Sequence, residues 1–146
     1  MELPEKMTIH THTITLIPRY AETDQAGVVH HTVYPVWFEM GRTELLRVNG
    51  PAYRDLEKAG IFFVVTGLNL KYHRPAYYDE KLDLTTTSTK ITLARIEHSY
   101  QLKRQNSPQL IAEGTSTLAC VDPDGKIQRI PEFMLPKEQN SNKTVK

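Results

Sequence analysis

Residues 20–47 read Tyr20-Ala-Glu-Thr-Asp24-Gln-Ala-Gly27-Val-Val-His30-His31-Thr-Val-Tyr34-Pro35-Val-Trp37-Phe38-Glu39-Met-Gly-Arg42-Thr-Glu-Leu45-Leu46-Arg47. The stretch leaves an extended segment, crosses a polar turn and continues as a helix. From Tyr34 on, Tyr34, Trp37, Phe38, Gly41, Leu45 and Val48 recur at steps of three and four, which makes one apolar helix face. Pro35 falls in the first turn, where a helix tolerates it. Asn49-Gly50 supplies a left-handed stop, and Pro51 prevents continuation. Trp37 and Phe38 are expected in the core. Glu39 and Arg42, three apart, are expected to pair on the helix surface or at a subunit contact.

The turn carries the chemistry. A helix N-terminus has N–H groups without intrahelical partners and the positive end of the helix dipole, so it can polarise a carbonyl or hold an oxyanion. Asp24 beside it can act as base or nucleophile. Equally, Asp24 can be a turn residue whose side chain accepts a local N–H. Gly27 lets the backbone turn sharply and a ligand come close.

Upstream, His10-Thr-His12-Thr-Ile14-Thr-Leu16-Ile17 alternates and predicts a strand to about Ala21. Residues 1–8 are expected to be loose. His10 and His12 share a strand face. With no third ligand nearby, they are expected as exposed strand residues, and no metal site is expected. Downstream, 52–59 predicts a short helix closed by Gly60. Ile61 to Thr66 predicts a buried strand. Leu68 to His73, Lys81 to Lys90, Ile96 to Lys103 and Leu110 to Val121 predict further strands. Arg74 to Glu80 and Asp122-Pro-Asp-Gly125 are turns, and Lys126 to Ile130 is a short edge strand.

The order is strand, long helix, short helix, then strands in meander, with no βαβ alternation and no repeat. One long amphipathic helix is the only large cover for an antiparallel sheet. The fold class is therefore α+β, with a five- to six-stranded antiparallel sheet wrapped around one helix. Residues 1–136 form a single domain and 137–146 a polar, disordered tail.

The bulk composition agrees with one modest domain of 146 residues. A net charge of +1 gives no reason to expect nucleic acid or a membrane surface as partner. No basic start with an apolar run marks a signal peptide. No run approaches the roughly 18 apolar residues of a membrane span. The single cysteine, Cys120, excludes an intrachain disulfide and fits a reducing, cytoplasmic setting. It lies in an apolar strand and is expected to be a buried thiol.

Thr23-Asp24-Gln-Ala-Gly27-Val28-Val29-His30-His31, with Tyr20 before it and Tyr34, Phe38-Glu39 and Arg42 after it, resembles the signature of the hotdog-fold acyl-CoA thioesterases. The subgroup it is most similar to is the 4-hydroxybenzoyl-CoA thioesterase-like and Tol-Pal-associated one. The likeness continues through Phe62 to Val65, Lys71 to Ala76, Asp79 and Cys120 to Pro123, and so covers about residues 13–135. It implies that Asp24 is the catalytic carboxylate and that the backbone N–H of His31 polarises the thioester. It also implies that Tyr20 and the His31 side chain complete the site. Gly27, Val28, Val29 and His30 would line the substrate. The subgroup usually has tyrosine where His30 stands, so either imidazole of the pair is a candidate to face the substrate. Its usual arginine after the third strand is replaced by Thr92, with Arg95 nearby for the CoA phosphates. The resemblance implies an acyl-CoA substrate, no cofactor, and a homodimer pairing into a homotetramer. The other readings are a hotdog protein that binds an acyl group without turnover, and a hotdog dehydratase, whose aspartate and histidine are spaced differently.

Overall fold

The computed structural model describes residues 6–135, so the tail expected at 137–146 lies outside it. The chain runs β1 (Thr11–Leu16), α1 (Val33–Val48), α2 (Tyr53–Lys58), β2 (Phe62–Tyr72), β3 (Leu82–Ile91), β4 (Ile96–Arg104), β5 (Leu110–Val121) and β6 (Ile127–Gln128). All pairings are antiparallel, in the order β1-β3-β4-β5-β2, with β6 beside β5. The expected α+β class, a sheet around one long helix, is what the chain forms.

Three details of that expectation are corrected. The strands are not a simple meander, because β2 lies at the far edge against β5 and β1 at the other edge against β3. Ile61–Thr66 and Leu68–His73 are not two strands but one, bent by an irregularity between Val65 and Gly67. That strand is not buried. Val64, Val65 and Leu68 are exposed, because β2 is an edge strand and α1 packs on β3 and β1 instead.

The helix packs as its pattern requires. Tyr34, Trp37, Phe38, Gly41 and Leu45 are buried, joined by Leu46 and, against expectation, Arg42, while Val48 is exposed. Gly41 has no room for a side chain, since a Cβ there would meet Thr86 and Leu84 of β3. Its absence lets helix and sheet close together. Phe38 stacks on Tyr100 of β4 at 4.2 Å.

The strand expected to reach Ala21 stops at Leu16. The buried Pro18 follows, and a 3₁₀ turn covers Tyr20–Glu22. Proline cannot donate to a ladder, so the strand breaks there. Among residues 6–8, expected loose, Met7 is buried and its N–H donates to the Phe133 carbonyl at 2.7 Å. Ile130, Phe133, Met134 and Leu135 pack with it against Leu118 and Cys120. Cys120 is a buried free thiol, and burial pushes its pKa up. His10 Nδ1 pairs with Ser88 Oγ at 3.0 Å. Among the described residues no cluster of three metal-ligating side chains forms.

Candidate active site

The polar turn is a small closed hairpin. Thr23 and Val29 bridge across it. The Asp24 N–H donates to Val28 O at 2.9 Å and the Gly27 N–H to Asp24 O at 3.0 Å. Gly27 takes φ +81°, a conformation that a side chain would strain. The Asp24 carboxylate accepts the Ala26 N–H on Oδ1 at 2.8 Å. Asp24 is thus a turn residue in fact. Its other oxygen, Oδ2, has no hydrogen-bond partner among the described residues.

From Val29 to Val33 the backbone is pinned one N–H at a time. Val29 N–H donates to Ala76 O at 2.8 Å, His30 N–H to Glu22 O at 2.8 Å and Val33 N–H to His30 O at 3.0 Å. Thr32 N–H donates to the His30 ring at Nδ1, 3.2 Å away, and Thr32 Oγ1 lies 2.8 Å from the same atom. The His31 N–H alone in this run has no partner among the described residues. It sits just before the first turn of α1, where the helix dipole favours a developing negative charge.

The two histidines divide their work. His30 Nδ1 accepts the Thr32 N–H, so its ring behaves as a cap for α1, and it stacks on His31 at 4.4 Å. The His31 imidazole is exposed and makes no hydrogen bond among the described residues.

Two residues that the sequence did not mark hold the turn in place. Glu22 accepts the Arg19 N–H at 2.8 Å and the Trp37 indole N–H at 3.2 Å, which ties the turn to α1. Burial pushes its carboxyl up, but the bonds from Arg19 and Trp37 outweigh this, and the pKa lies below the ordinary 4.5. The Arg19-x-x-Glu22 spacing was the available signal. Tyr72 Oη donates to the His31 carbonyl at 2.8 Å. No local pattern could show that bond, since 41 residues separate its ends.

The predicted residues fall on two sides of the turn. Val28, Val29 and His31 line a cleft of about 280 Å³ with Tyr34, Tyr72 and Arg74. Tyr20 and Asp24 border a wide, open depression with Thr23 and Gln25. Tyr20 is 80% exposed and leans on Tyr78, with ring centroids 5.6 Å apart. His30 lines neither concavity. Arg95 pairs with Glu97 at 3.0 Å.

This chain matches the model of the Thioesterase-like superfamily over residues 18–137. It is 36% identical to the "Putative acyl-CoA thioesterase YneP" of Bacillus subtilis (strain 168), over 71% of this chain and 75% of that one. It is 34% identical to the acyl-CoA thioesterase YbgC of Haemophilus influenzae, over 82% of this chain and 84% of that one. Among solved structures, a DHNA-CoA thioesterase from Staphylococcus aureus superposes with a TM-score of 0.80 at 31% identity, covering 92% of this chain and 90% of that one. On that match over residues 18–137, the chain belongs to the Thioesterase-like superfamily.

Proposed function

We propose that the protein is an acyl-CoA thioesterase, hydrolysing a CoA or carrier-protein thioester to a carboxylic acid and a free thiol. The observation that carries this reading is the unpartnered His31 N–H at the start of α1, in the same pinned turn as an Asp24 carboxylate with one free oxygen. The relatives' names support it. The thioester carbonyl oxygen would accept from the His31 N–H. Asp24, as base, takes a proton from water while the hydroxide attacks the carbonyl carbon. The oxyanion collapses, the C–S bond breaks, and the thiolate leaves to be protonated. Asp24 as nucleophile would give an anhydride that water opens to the same products. The His31 imidazole and Tyr20 would contact substrate, and Gly27, Val28, Val29 and His30 would line it. The narrower likeness to the Tol-Pal-associated subgroup rests on Tyr20 and His31.

We infer further that the working form is a homodimer, paired into a homotetramer, in the cytoplasm. Edge strand β2 shows unpaired backbone groups and the exposed Val64, Val65 and Leu68. Tyr72 on that strand borders the His31 cleft, so a partner docked along β2 would close that cleft from its open side. Among the described residues no helix is long and apolar enough to cross a membrane. The deciding experiment measures thiol release from a panel of aliphatic, benzoyl and naphthoyl-CoA thioesters. Release from none of them, with acyl-CoA still bound, would leave a binding protein instead.

A further inference from the structure

Arg42 is 8% exposed, and its guanidinium brings five N–H donors into the interior. It reaches the Tyr100 hydroxyl at 3.5 Å and the Glu39 carboxylate at 3.8 Å, and the buried Tyr53 phenol also lies within its reach. Both distances are long for a hydrogen bond. Glu39 stands in solvent, and the Tyr100 hydroxyl already pairs with Ser116 Oγ at 2.6 Å. A buried guanidinium held this weakly costs free energy unless another acceptor reaches it.

Such an acceptor has a way in. Arg42 borders a cleft of about 370 Å³ between α1, α2 and β2, walled by Tyr53, Phe63, Val65 and Leu118. Tyr72, Leu70, Leu68, Val65 and Phe63 follow one another on the β2 face that looks toward the core of the sheet, opposite Ala112, Gly114, Ser116, Leu118 and Cys120. Tyr72 borders the His31 cleft at one end, while Val65 and Phe63 border the Arg42 cleft at the other. Val65 and Leu68 are each 47% exposed along this row. Ten residues of helix from Thr32 to Arg42 span about 15 Å at 1.5 Å per residue. The Arg42 side chain leans back toward the N-terminus and shortens that distance. The scale suits a medium or long acyl chain.

We propose that the Arg42 cleft is a distal acyl subsite and that it takes a chain bearing an uncharged oxygen, a hydroxyl or keto group, which accepts from the guanidinium. The proposal rests on the thioesterase reading, with the thioester at the His31 N–H. A plain hydrocarbon adds no acceptor to the long contacts that Arg42 already has. A terminal carboxylate meets Glu39 and Glu57, two negative charges against one positive. Tyr53 stays a neutral phenol, its pKa pushed up to about 12 by burial, and so adds no charge of its own.

The test compares kcat/KM for decanoyl- and dodecanoyl-CoA with their terminally hydroxylated counterparts, in the wild type and in Arg42→Met. The wild type should prefer the hydroxylated chain by at least about tenfold, because a site built to bond an oxygen rejects the analogue that lacks it. Arg42→Met, similar in length but without donors, should bring that ratio near one. A wild-type ratio near one, an unchanged ratio in Arg42→Met, or a change of oligomer size in that variant would overturn the proposal. Val65→Trp is a second probe, compared with the wild type at matching oligomer size because β2 is also the proposed docking edge. It should lower the dodecanoyl-to-butyryl rate ratio by about tenfold by filling the cleft, and an unchanged ratio counts against the subsite. Calorimetry with hydroxydodecanoic and dodecanoic acid needs no turnover. Tighter, Arg42-dependent binding of the hydroxy acid by a protein that releases no thiol would keep the subsite and remove the thioesterase reading. Turnover without preference would do the reverse.

Discussion

The Tyr72 phenol donates to the His31 backbone carbonyl at 2.8 Å and so ties edge strand β2 to the N-terminus of α1. The bond fixes one side of the His31 residue, while the His30 N–H to Glu22 O bond fixes the peptide before it. The free His31 N–H is aimed by these two anchors. Tyr72→Phe removes the first and should lower kcat by roughly tenfold, since small misplacements of a catalytic donor are costly. KM should move much less. The expected loss of stability is about 1 kcal/mol, the net worth of one hydrogen bond. Steady-state kinetics beside a denaturant titration checks both, and an unchanged kcat would show that the turn holds its shape without β2.

Asp24→Asn keeps an oxygen to accept the Ala26 N–H, so the turn should survive. Losing the charge should cost about 10²–10⁴-fold in kcat, which is roughly 3 to 5 kcal/mol of barrier. The variant's kcat is to be measured with its melting temperature and oligomer size. A folded, correctly assembled variant keeping more than about a tenth of wild-type kcat falls short of that loss and would reduce Asp24 to its turn role.

The histidine pair should separate cleanly. His30→Ala removes the acceptor for the Thr32 N–H and should cost about 1 kcal/mol of stability, as loss of a helix cap does. His31→Ala touches no hydrogen bond of its side chain, so it should melt like the wild type while turnover falls by about tenfold. A near-wild-type rate for His31→Ala would leave the backbone N–H as this residue's whole contribution.

Acid should weaken the fold through His98. Burial, helped by the Arg42 charge, pushes its pKa down from 6.5 to about 3, and its Nδ1 has no partner among the described residues. The folded chain therefore keeps the ring neutral while the unfolded chain protonates it. The stabilising contribution is intact above pH 6.5 and is lost as pH falls from 6.5 toward 3. The slope from this one group is at most about 1.4 kcal/mol per pH unit. Melts of the wild type and His98→Gln between neutral and mildly acid pH should converge by that slope. A constant gap would mean that His98 titrates normally.

The exposed β2 edge is the expected site of assembly. Sedimentation should give a dimer or tetramer, and Leu68→Asp on β2 should weaken it. A monodisperse wild-type monomer of 16.8 kDa at micromolar concentration would refute the paired form.

Local pattern alone determined α1, α2, the bounds of β5 and the turn with its aspartate, glycine and histidines. Each rests on interactions a few residues apart: the 3.6-residue period, the alternation of strands, and turn chemistry at Gly27. The identity of Asp24 as a turn acceptor was equally legible, and in that role only Oδ1 accepts a bond among the described residues. Only the tertiary structure decided which strands are neighbours. β2 precedes β3 in the chain but pairs with β5, and its edge position exposes a run that reads as buried. The same long-range packing took Met7 into the core and buried Arg42, whose i,i+3 spacing with Glu39 suggests a pair on the helix surface or at a subunit contact, and which reaches Glu39 at 3.8 Å. It also brought Tyr72 to His31 across 41 residues and set Tyr20 and Asp24 on the other side of the turn from the His31 cleft. A sequence encodes such contacts only through the free energy of the whole packed sheet, and no window along the chain contains them.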